Sequence, residues 1–324
     1  MSLDLASMPE LPEYVIRVVV LFAALILDWR LPVSDKYHPV YFFRQVAERL
    51  ADKVHPDINR DKNQLLISGS LALLSAILPV VVILYLFIPL VEFSWFIDLI
   101  VLWLCLGYQN SRIAHYKLAV ALDKKQKFLA RDRLSDWVLR DTEKLSELGI
   151  IKASIESQVL RCGYFYHCII FWYLLAGPVF VLAFRLLLEL NQSWNAKLPR
   201  LAVFARPTRA STYYLSWLPM RLFAFTLSFG KGSGTVKQHK KQWVYQNNLR
   251  PLVAAAECLQ IQLGGTVSYA SQKWRRPQLT EYRLANAGDI IQIDKFLRRS
   301  ARIWLIIIVI SASLVMIGHH YFSS

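Results

Sequence analysis

LLISGSLALLSAILPVVVILYLFIPL, residues Leu65 to Leu90, runs for 26 residues without a charged side chain. A helix rises about 1.5 Å per residue, so about 20 apolar residues cross a hydrocarbon layer ~30 Å thick. This stretch is long enough. Gly163 to Phe184 is a second such stretch, uncharged apart from the titratable His167. Ile303 to Ile317 is a third, and Tyr14 to Leu27, interrupted by Arg17, a fourth. Trp95 to Tyr108 contains Asp98 but follows Leu65–Leu90 so closely that a helical hairpin is expected. The fold class is therefore an all-α integral membrane protein with about four to five transmembrane helices and helical cytoplasmic segments. The expected spans are 14–27, 65–90, 95–108, 164–189 and 301–318, within one domain covering 1–324.

Length alone would allow two soluble domains in 324 residues, but the 55% of hydrophobic residues are too clustered for that. The first apolar stretch does not read as a signal peptide. Asp4, Glu10 and Glu13 precede it, Arg17 lies inside it, and Asp28-Trp29-Arg30 stands where small residues would mark cleavage. The net charge is +15, and of the 38 Lys and Arg residues 7 fall in 28–64, 11 in 109–163 and 18 in 190–302. Cytoplasmic loops collect such residues, which places 28–64, 109–163 and 190–300 inside and the acidic N-terminal tail outside. Five simple spans would put the third segment on the wrong side. Either Gly177-Pro178 breaks its span into a re-entrant hairpin, or Trp217–Phe229 crosses or dips.

The positive charge suits anionic lipid headgroups, so membrane lipid is an expected partner. Nucleic acid is not, because the basic residues are scattered among apolar spans instead of clustering with stacking aromatics. Cys105, Cys162, Cys168 and Cys258 form no Cys-x-x-Cys pair and read as small buried hydrophobes in a reducing context. His319-His320 has no ligand partner nearby and reads as a tail pair.

Between the spans, Leu118, Ala119, Leu122, Leu129 and Ala130 recur at helical spacing, which predicts one amphipathic helix over 115–130. A further helix is expected to start with Ser146 as N-cap and run through Ile150, Ile151, Ala153 and Ile155. Lys231-Gly232-Ser233-Gly234 is a connector; it lacks the Gly-Lys-Ser/Thr ending of a phosphate-binding loop. Gly264-Gly265-Thr266-Val267-Ser268-Tyr269 has paired glycines that let backbone N–H groups approach an anion, or simply make a tight turn between helices.

The most chemically suggestive segment is Arg131-Asp132-Arg133-Leu134-Ser135, followed by Arg140-Asp141-Thr142. Planar guanidinium forks match phosphate and carboxylate oxygens, although surface ion pairs would give the same pattern. This segment resembles the central motif of the CobD/CbiB family, the membrane-bound cobinamide-phosphate synthases. Further likenesses follow in order: Leu27-Asp28, Leu31-Pro32, His38-Pro39-Val40, then Leu145-Ser146-Glu147 and Ala153-Ser154-Ile155-Glu156-Ser157. Trp217-Leu218-Pro219-Met220-Arg221-Leu222, Gly264–Tyr269 and Arg276-Pro277 complete the set.

The resemblance implies a multi-pass protein of the bacterial inner membrane that acts in cobalamin biosynthesis. The reaction it implies is ATP-dependent amide formation between adenosylcobyric acid, a corrinoid, and aminopropanol or its phosphate. ATP and Mg²⁺ are the implied cofactors. On this reading Asp28, His38, Asp132, Asp141 and Glu156 are the candidate catalytic residues, with Asp132 and Asp141 as Mg²⁺ ligands. Arg131, Arg133, Ser135, Arg140, Gly264, Gly265, Ser268 and Tyr269 are the candidate phosphate- or substrate-binding residues. Arg131, Asp132, Arg133 and Arg140 are expected to share one anion pocket with His38.

Two departures from the family pattern stand out. Its Glu-Asn-x-Ser-Asp-Gly is replaced by Leu160-Arg161-Cys162-Gly163-Tyr164-Phe165, and its Asn-Thr-Leu-Asp by Leu188-Glu189-Leu190-Asn191. Those losses leave open a non-catalytic membrane sensor or modulator resembling AmpE-type proteins. A transporter fits poorly, since no repeated half is visible and ionisable residues lie only at or near the span ends.

Overall fold

The computed structural model describes residues 12–33, 38–55, 61–195, 199–229, 247–269, 272–276 and 278–323. The Lys231–Gly234 connector, Pro277 and the acidic residues Asp4 and Glu10 lie outside them. The described chain is nearly all helix: α1 (Glu13–Arg30), α2 (Pro39–Val54), α3 (Lys62–Phe87), α4 (Ser94–Cys105), α5 (Tyr108–Asp123) and α6 (Lys127–Ser135). These are followed by α7 (Glu147–Cys162), α8 (Cys168–Ser193), α9 (Arg206–Ser228), α10 (Leu249–Leu259) and α11 (Ala287–Ser323). The expected all-helical reading omitted one small antiparallel hairpin, β1 (Val267–Tyr269) with β2 (Gln272–Trp274), which pairs Val267 with Trp274.

Helix starts follow local chemistry. The Asp61 carboxylate accepts from the Asn63 N–H, and the Ser146 hydroxyl accepts from the Gly149 N–H at 3.1 Å, which fixes the start of α7 where expected. His38-Pro39-Val40 is a helix start of the same kind. His38 Nδ1 accepts the Val40 N–H at 3.1 Å, and Pro39, which has no N–H to leave unsatisfied, takes the first turn. The expected single helix over 115–130 is two. Lys125 adopts φ 57°, ending α5 and letting α6 leave in a new direction, and no glycine marks the turn. Leu118, Ala119, Leu122 and Ala130 still face the core, whereas Leu129 is exposed.

Three helical stretches are long and apolar enough to cross a membrane: Lys62–Leu90, Glu147–Ser193 and Ala287–Tyr321. α1 carries Glu13, Arg17, Asp28 and Arg30 in 18 residues. α4 has 12 residues and is only about 18 Å long. Exposed Ile67, Leu71, Leu78 and Ile83 on α3 and Ile306, Ile310, Leu314 and Ile317 on α11 present apolar faces outward.

The stretch from Glu147 to Ser193 is not one straight rod. Gly177 takes φ 76° and ψ −172°, a conformation open essentially to glycine alone, and Pro178 follows it without an N–H to continue the ladder. The chain then turns back. The Arg185 guanidinium lies 4.4 Å from the centre of the Phe165 ring, and the Trp172 and Phe180 rings are 4.6 Å apart. In a continuous helix, residues twenty apart would be separated by about 30 Å. α8 is thus a hairpin of two limbs with its apex at Gly177.

The apex packs against polar groups of the neighbouring helices. The Arg17 guanidinium comes within 3.6 Å of where a Gly177 side chain would begin, and the Tyr173 hydroxyl donates to Asp98 Oδ2 at 3.5 Å. A helix interrupted among apolar neighbours needs such partners for its freed backbone groups. A main core joins α1, α4, α5 and α7–α11, with Leu21, Leu102, Leu118, Ile155, Tyr173 and Phe223 fully enclosed. A smaller one locks α2 and α3 to the far end of α8 through Ala47, Ala72, Leu190, Trp194 and Phe204.

Candidate functional site

Two clusters of charged residues form around α7. The first is centred on Glu156, buried on the inner face of that helix. Arg140 donates to Glu156 Oε2 at 2.5 Å, and Arg276 Nη2 reaches both carboxylate oxygens at 3.1 and 3.0 Å. The Gly264 N–H adds a bond to Oε1 at 3.1 Å. Gly264 and Gly265, at φ 82° and 94°, make the turn that aims this N–H, and Arg276 Nε also donates to the Gly265 carbonyl at 3.3 Å.

Three residues beyond Gly265, the Ser268 hydroxyl donates to Asp141 Oδ2 at 2.7 Å, and the Asp141 N–H donates to the Ser268 carbonyl at 3.0 Å. Candidate residues more than a hundred positions apart are therefore stitched together. Burial alone would raise the Glu156 carboxyl, but Arg140 and then Arg276 reverse this and hold it at about 2. A carboxylate so saturated with donors is a poor proton acceptor. Glu156 fixes Gly264 and Arg276 onto α7; it is a positioning residue.

The second cluster lines a pocket where the ends of α1, α4 and α7 meet the start of α2 and the returning limb of α8. Asp28, His38, Arg44, Asp136, Arg161, Arg185 and Glu189 all face it. The Asn110 side-chain amide on α5 donates to the Val33 carbonyl and holds the segment after α1 against the start of α5. Glu189 accepts from Arg44 at 2.7 Å on one oxygen and from Arg185 on the other. The Arg161 guanidinium stacks over the Trp137 ring at 4.6 Å and the Phe165 ring at 5.5 Å, and Arg185 lies against that same Phe165.

Asp28 sits just beyond the apolar part of α1 and accepts no hydrogen bond from another described residue. Burial pushes its carboxyl up to about 7. Because His38 Nδ1 is occupied as a helix cap, the neutral ring carries its proton on Nε2 and acts as a donor. The segment 136–141 links the two clusters: Asp136 lines the pocket, Arg140 holds Glu156, and Asp141 holds Ser268.

The expected single pocket joining His38 with Arg131, Asp132, Arg133 and Arg140 is divided. Arg131 donates to the Leu145 carbonyl through Nε at 3.0 Å and Nη2 at 2.5 Å, holding the loop that precedes α7. Arg133 donates to the Lys117 carbonyl at 2.7 Å and ties α6 to α5. Asp132 is exposed, and the Ser135 hydroxyl donates back to its carbonyl at 2.6 Å. Tyr269 is buried at the end of β1. None of these residues lines the pocket around His38.

Arg44, Asp136, Arg161, Arg185 and Glu189 take their place there instead. One sequence signal could have found two of them. Arg185 and Glu189 are spaced i, i+4 at the edge of an apolar stretch, where paired charges are costly and rarely idle.

The donor set does not fit a divalent metal. Of the expected Mg²⁺ ligands, Asp132 is exposed on α6 while the Asp141 carboxylate accepts from Ser268, and among the described residues no group of three His, Cys, Asp or Glu side chains is placed to hold a metal. In the pocket itself both Glu189 oxygens are taken by guanidinium groups. The four cysteines are buried and form no disulfide with one another.

The CobD/Cbib protein family matches residues 21–297. The chain is 26% identical to the cobalamin biosynthesis protein CobD of Stutzerimonas stutzeri over 289 residues, covering 88% of this chain and 94% of that one. It is 26% identical to the protein of the same name from Chromobacterium violaceum over 299 residues, covering 90% and 96%. The Clostridium tetani protein of that name is 23% identical over 278 residues, covering 80% and 86%. No solved structure matches the chain.

Proposed function

Because this chain belongs to the CobD/CbiB family, its role lies in cobalamin biosynthesis, and we propose that it joins a short amino-alcohol phosphate to a corrinoid carboxyl group. The observation that carries this reading is the pocket itself. Its lining combines the carboxyls of Asp28, Asp136 and Glu189 with the guanidiniums of Arg44, Arg161 and Arg185. That pairing matches a molecule with an ammonium at one end and a phosphate at the other.

A carboxylate is a poor electrophile, so ATP first converts the corrinoid carboxyl to an acyl phosphate, releasing ADP. The amine then attacks the acyl carbon, the C–O bond to phosphate breaks, and amide, inorganic phosphate and a proton result. Asp28 takes up the ammonium proton, a role suited to a carboxyl that titrates near neutrality. His38 Nε2 donates to a phosphate oxygen.

The fold also supports a specific topology. On this reading α1, α3 and α11 cross the membrane, α4 with the turn that precedes it returns the chain from the end of α3 to the cytoplasmic side, and α8 enters and returns at Gly177. All three basic segments, 28–64, 109–163 and 190–300, then share the cytoplasmic face of the inner membrane. The apex is 9 to 12 residues from the pocket along α1, α4 and the first limb of α8, about 14–18 Å in each case. The pocket thus opens at the membrane surface, where a corrinoid can approach from water.

The replacement of the family's carboxylates by Leu160, Tyr164 and Asn191 favours a second reading, a scaffold of the same pathway without catalysis. Growth separates the two. A host lacking its own cobinamide-phosphate synthase and supplied with cobyric acid should regain cobalamin-dependent growth on expressing this chain, and lose it again with Asp28→Asn. The same host fed cobinamide should grow without the chain. No rescue by a chain shown to be membrane-inserted would leave the non-catalytic reading.

A further inference from the structure

We infer that α11 carries a site for an anionic phospholipid, with the headgroup phosphate held by Lys295, Arg299 and Arg302 and an acyl chain lying along Ile306 and Ile310. The inference rests on α11 crossing the membrane, as proposed above, and not on the chemistry proposed for the pocket beside Asp28.

Three observations converge. First, a groove at the start of α11 is dominated by one sign of charge. Arg283, Lys295, Arg299 and Arg302 line it, and Asp289 is the one carboxyl among the described lining residues. Arg283 takes both Asp289 oxygens, at 2.6 and 2.9 Å, so that pair cancels and three positive charges remain. Asp294, the next carboxyl along the helix, lies outside the lining and pairs with Arg112 and Arg298. Lys295 and Arg302 form no ion pair among the described residues.

Second, the groove runs straight into an apolar track. Lys295, Arg299, Arg302, Ile306 and Ile310 follow at steps of four, three, four and four, which keeps them on one face of α11 within about 80° of arc. Ile306 and Ile310 are exposed, whereas Ile293, Leu297, Trp304 and Ile308 on the opposite face are buried. Third, the level is that of a headgroup. The uncharged run begins at Ile303, directly after Arg302, and Arg299 and Lys295 lie about 5 and 10 Å further from it along the axis.

Scattered basic residues at a membrane surface attract anionic lipid without giving it a fixed place. Here the guanidinium of Arg299 is fixed before a ligand arrives, because its Nη2 donates to the Leu227 and Phe229 carbonyls at 3.2 and 3.0 Å. A soluble phosphate would engage the three charges and leave the isoleucines bare. A phospholipid uses both.

The test is native mass spectrometry of the purified full chain with dioleoylphosphatidylglycerol and, separately, with dioleoylphosphatidylcholine, which has the same chains and no net charge. The parent should hold the anionic lipid about tenfold more tightly. In Lys295→Gln/Arg302→Gln that preference should fall to about twofold or less. Both side chains are exposed, so the fold does not depend on them, and Arg299 is kept because it also serves the end of α9. Lys124→Gln/Lys144→Gln, which removes two exposed charges elsewhere on the basic segments, should keep the preference of the parent. A large excess of O-phosphoethanolamine, a small amino-alcohol phosphate, should not displace the lipid.

Equal retention of the two lipids by the parent, or an unchanged preference in Lys295→Gln/Arg302→Gln, would overturn the site. Displacement by O-phosphoethanolamine would make it a site for soluble phosphates and overturn the lipid reading. Labelling of Ile306→Cys by a membrane-impermeant maleimide in sealed membranes would overturn it through the topology on which it rests, whereas failure of growth rescue would leave it standing.

Discussion

Glu156→Gln is expected to destabilise the folded chain by about 3–5 kcal/mol, because it leaves Arg140 and Arg276 facing each other without the carboxylate between them. The value should fall toward the lower end, since the two arginines keep 11% and 19% exposure and can partly turn to water. Acid should have a related effect on the parent. The Glu156 carboxyl is held at about 2 in the folded chain against an ordinary 4.5. Its contribution is therefore complete above about pH 4.5 and is lost as pH falls toward 2, a difference of about 3 kcal/mol. Denaturant unfolding followed by tryptophan fluorescence at pH 7 and again near pH 3 measures both. The gap between parent and variant should be wide at pH 7 and narrow in acid. A variant within about 0.5 kcal/mol of the parent at pH 7 would show that the cluster does not hold the loop.

Glu189→Gln should produce two effects of opposite sense. Arg185, packed at 9% exposure, loses its counter-charge and cannot leave, so the fold should weaken by about 3 kcal/mol. Arg44, which is more exposed, can swing outward and limits the loss. The same change strips one negative charge from the wall of the pocket, so affinity for O-phosphoethanolamine should rise several-fold in the molecules that remain folded. Measuring unfolding and binding on one preparation separates the two effects. Weaker binding together with weaker folding would mean that Glu189 shapes the pocket more than it neutralises it.

Much of the framework could be read in the sequence because it depends on local chemistry. Ser146 starts α7 through a hydroxyl-to-N–H bond that any Ser in that position can make. Gly177-Pro178 carried the information for a hairpin, since no other residue pair breaks a helix so cheaply. Arg140, Asp141, Glu156, Gly264 and Ser268 were candidates in separate motifs, and the fold joins them.

The pocket was harder to see. Arg161 and Glu189 stood out as departures from a family pattern, yet they meet only because α8 turns back, and that juxtaposition has no local signature. Conversely, Arg131 and Arg133 looked like anion ligands by residue type, but each spends its guanidinium on a backbone carbonyl of a neighbouring segment. Residue type gives the capacity to bind phosphate, and tertiary packing decides which arginines are left to do it. The break between α5 and α6 was hidden for a related reason, since Lys125 adopts a positive φ that its identity does not advertise.

Everything about the pocket depends on α8 returning to the side from which it started. A single cysteine placed at exposed Lys144, before α8, and another at exposed Arg209, after it, test this directly. Each variant is labelled in sealed, oriented membranes with a maleimide that cannot cross them, before and after the membranes are opened. Both positions should react from the same face, the one that also carries the basic segment 109–163. Reaction of Lys144→Cys from one face and Arg209→Cys from the other would mean that α8 crosses straight through, and the pocket could not exist as described.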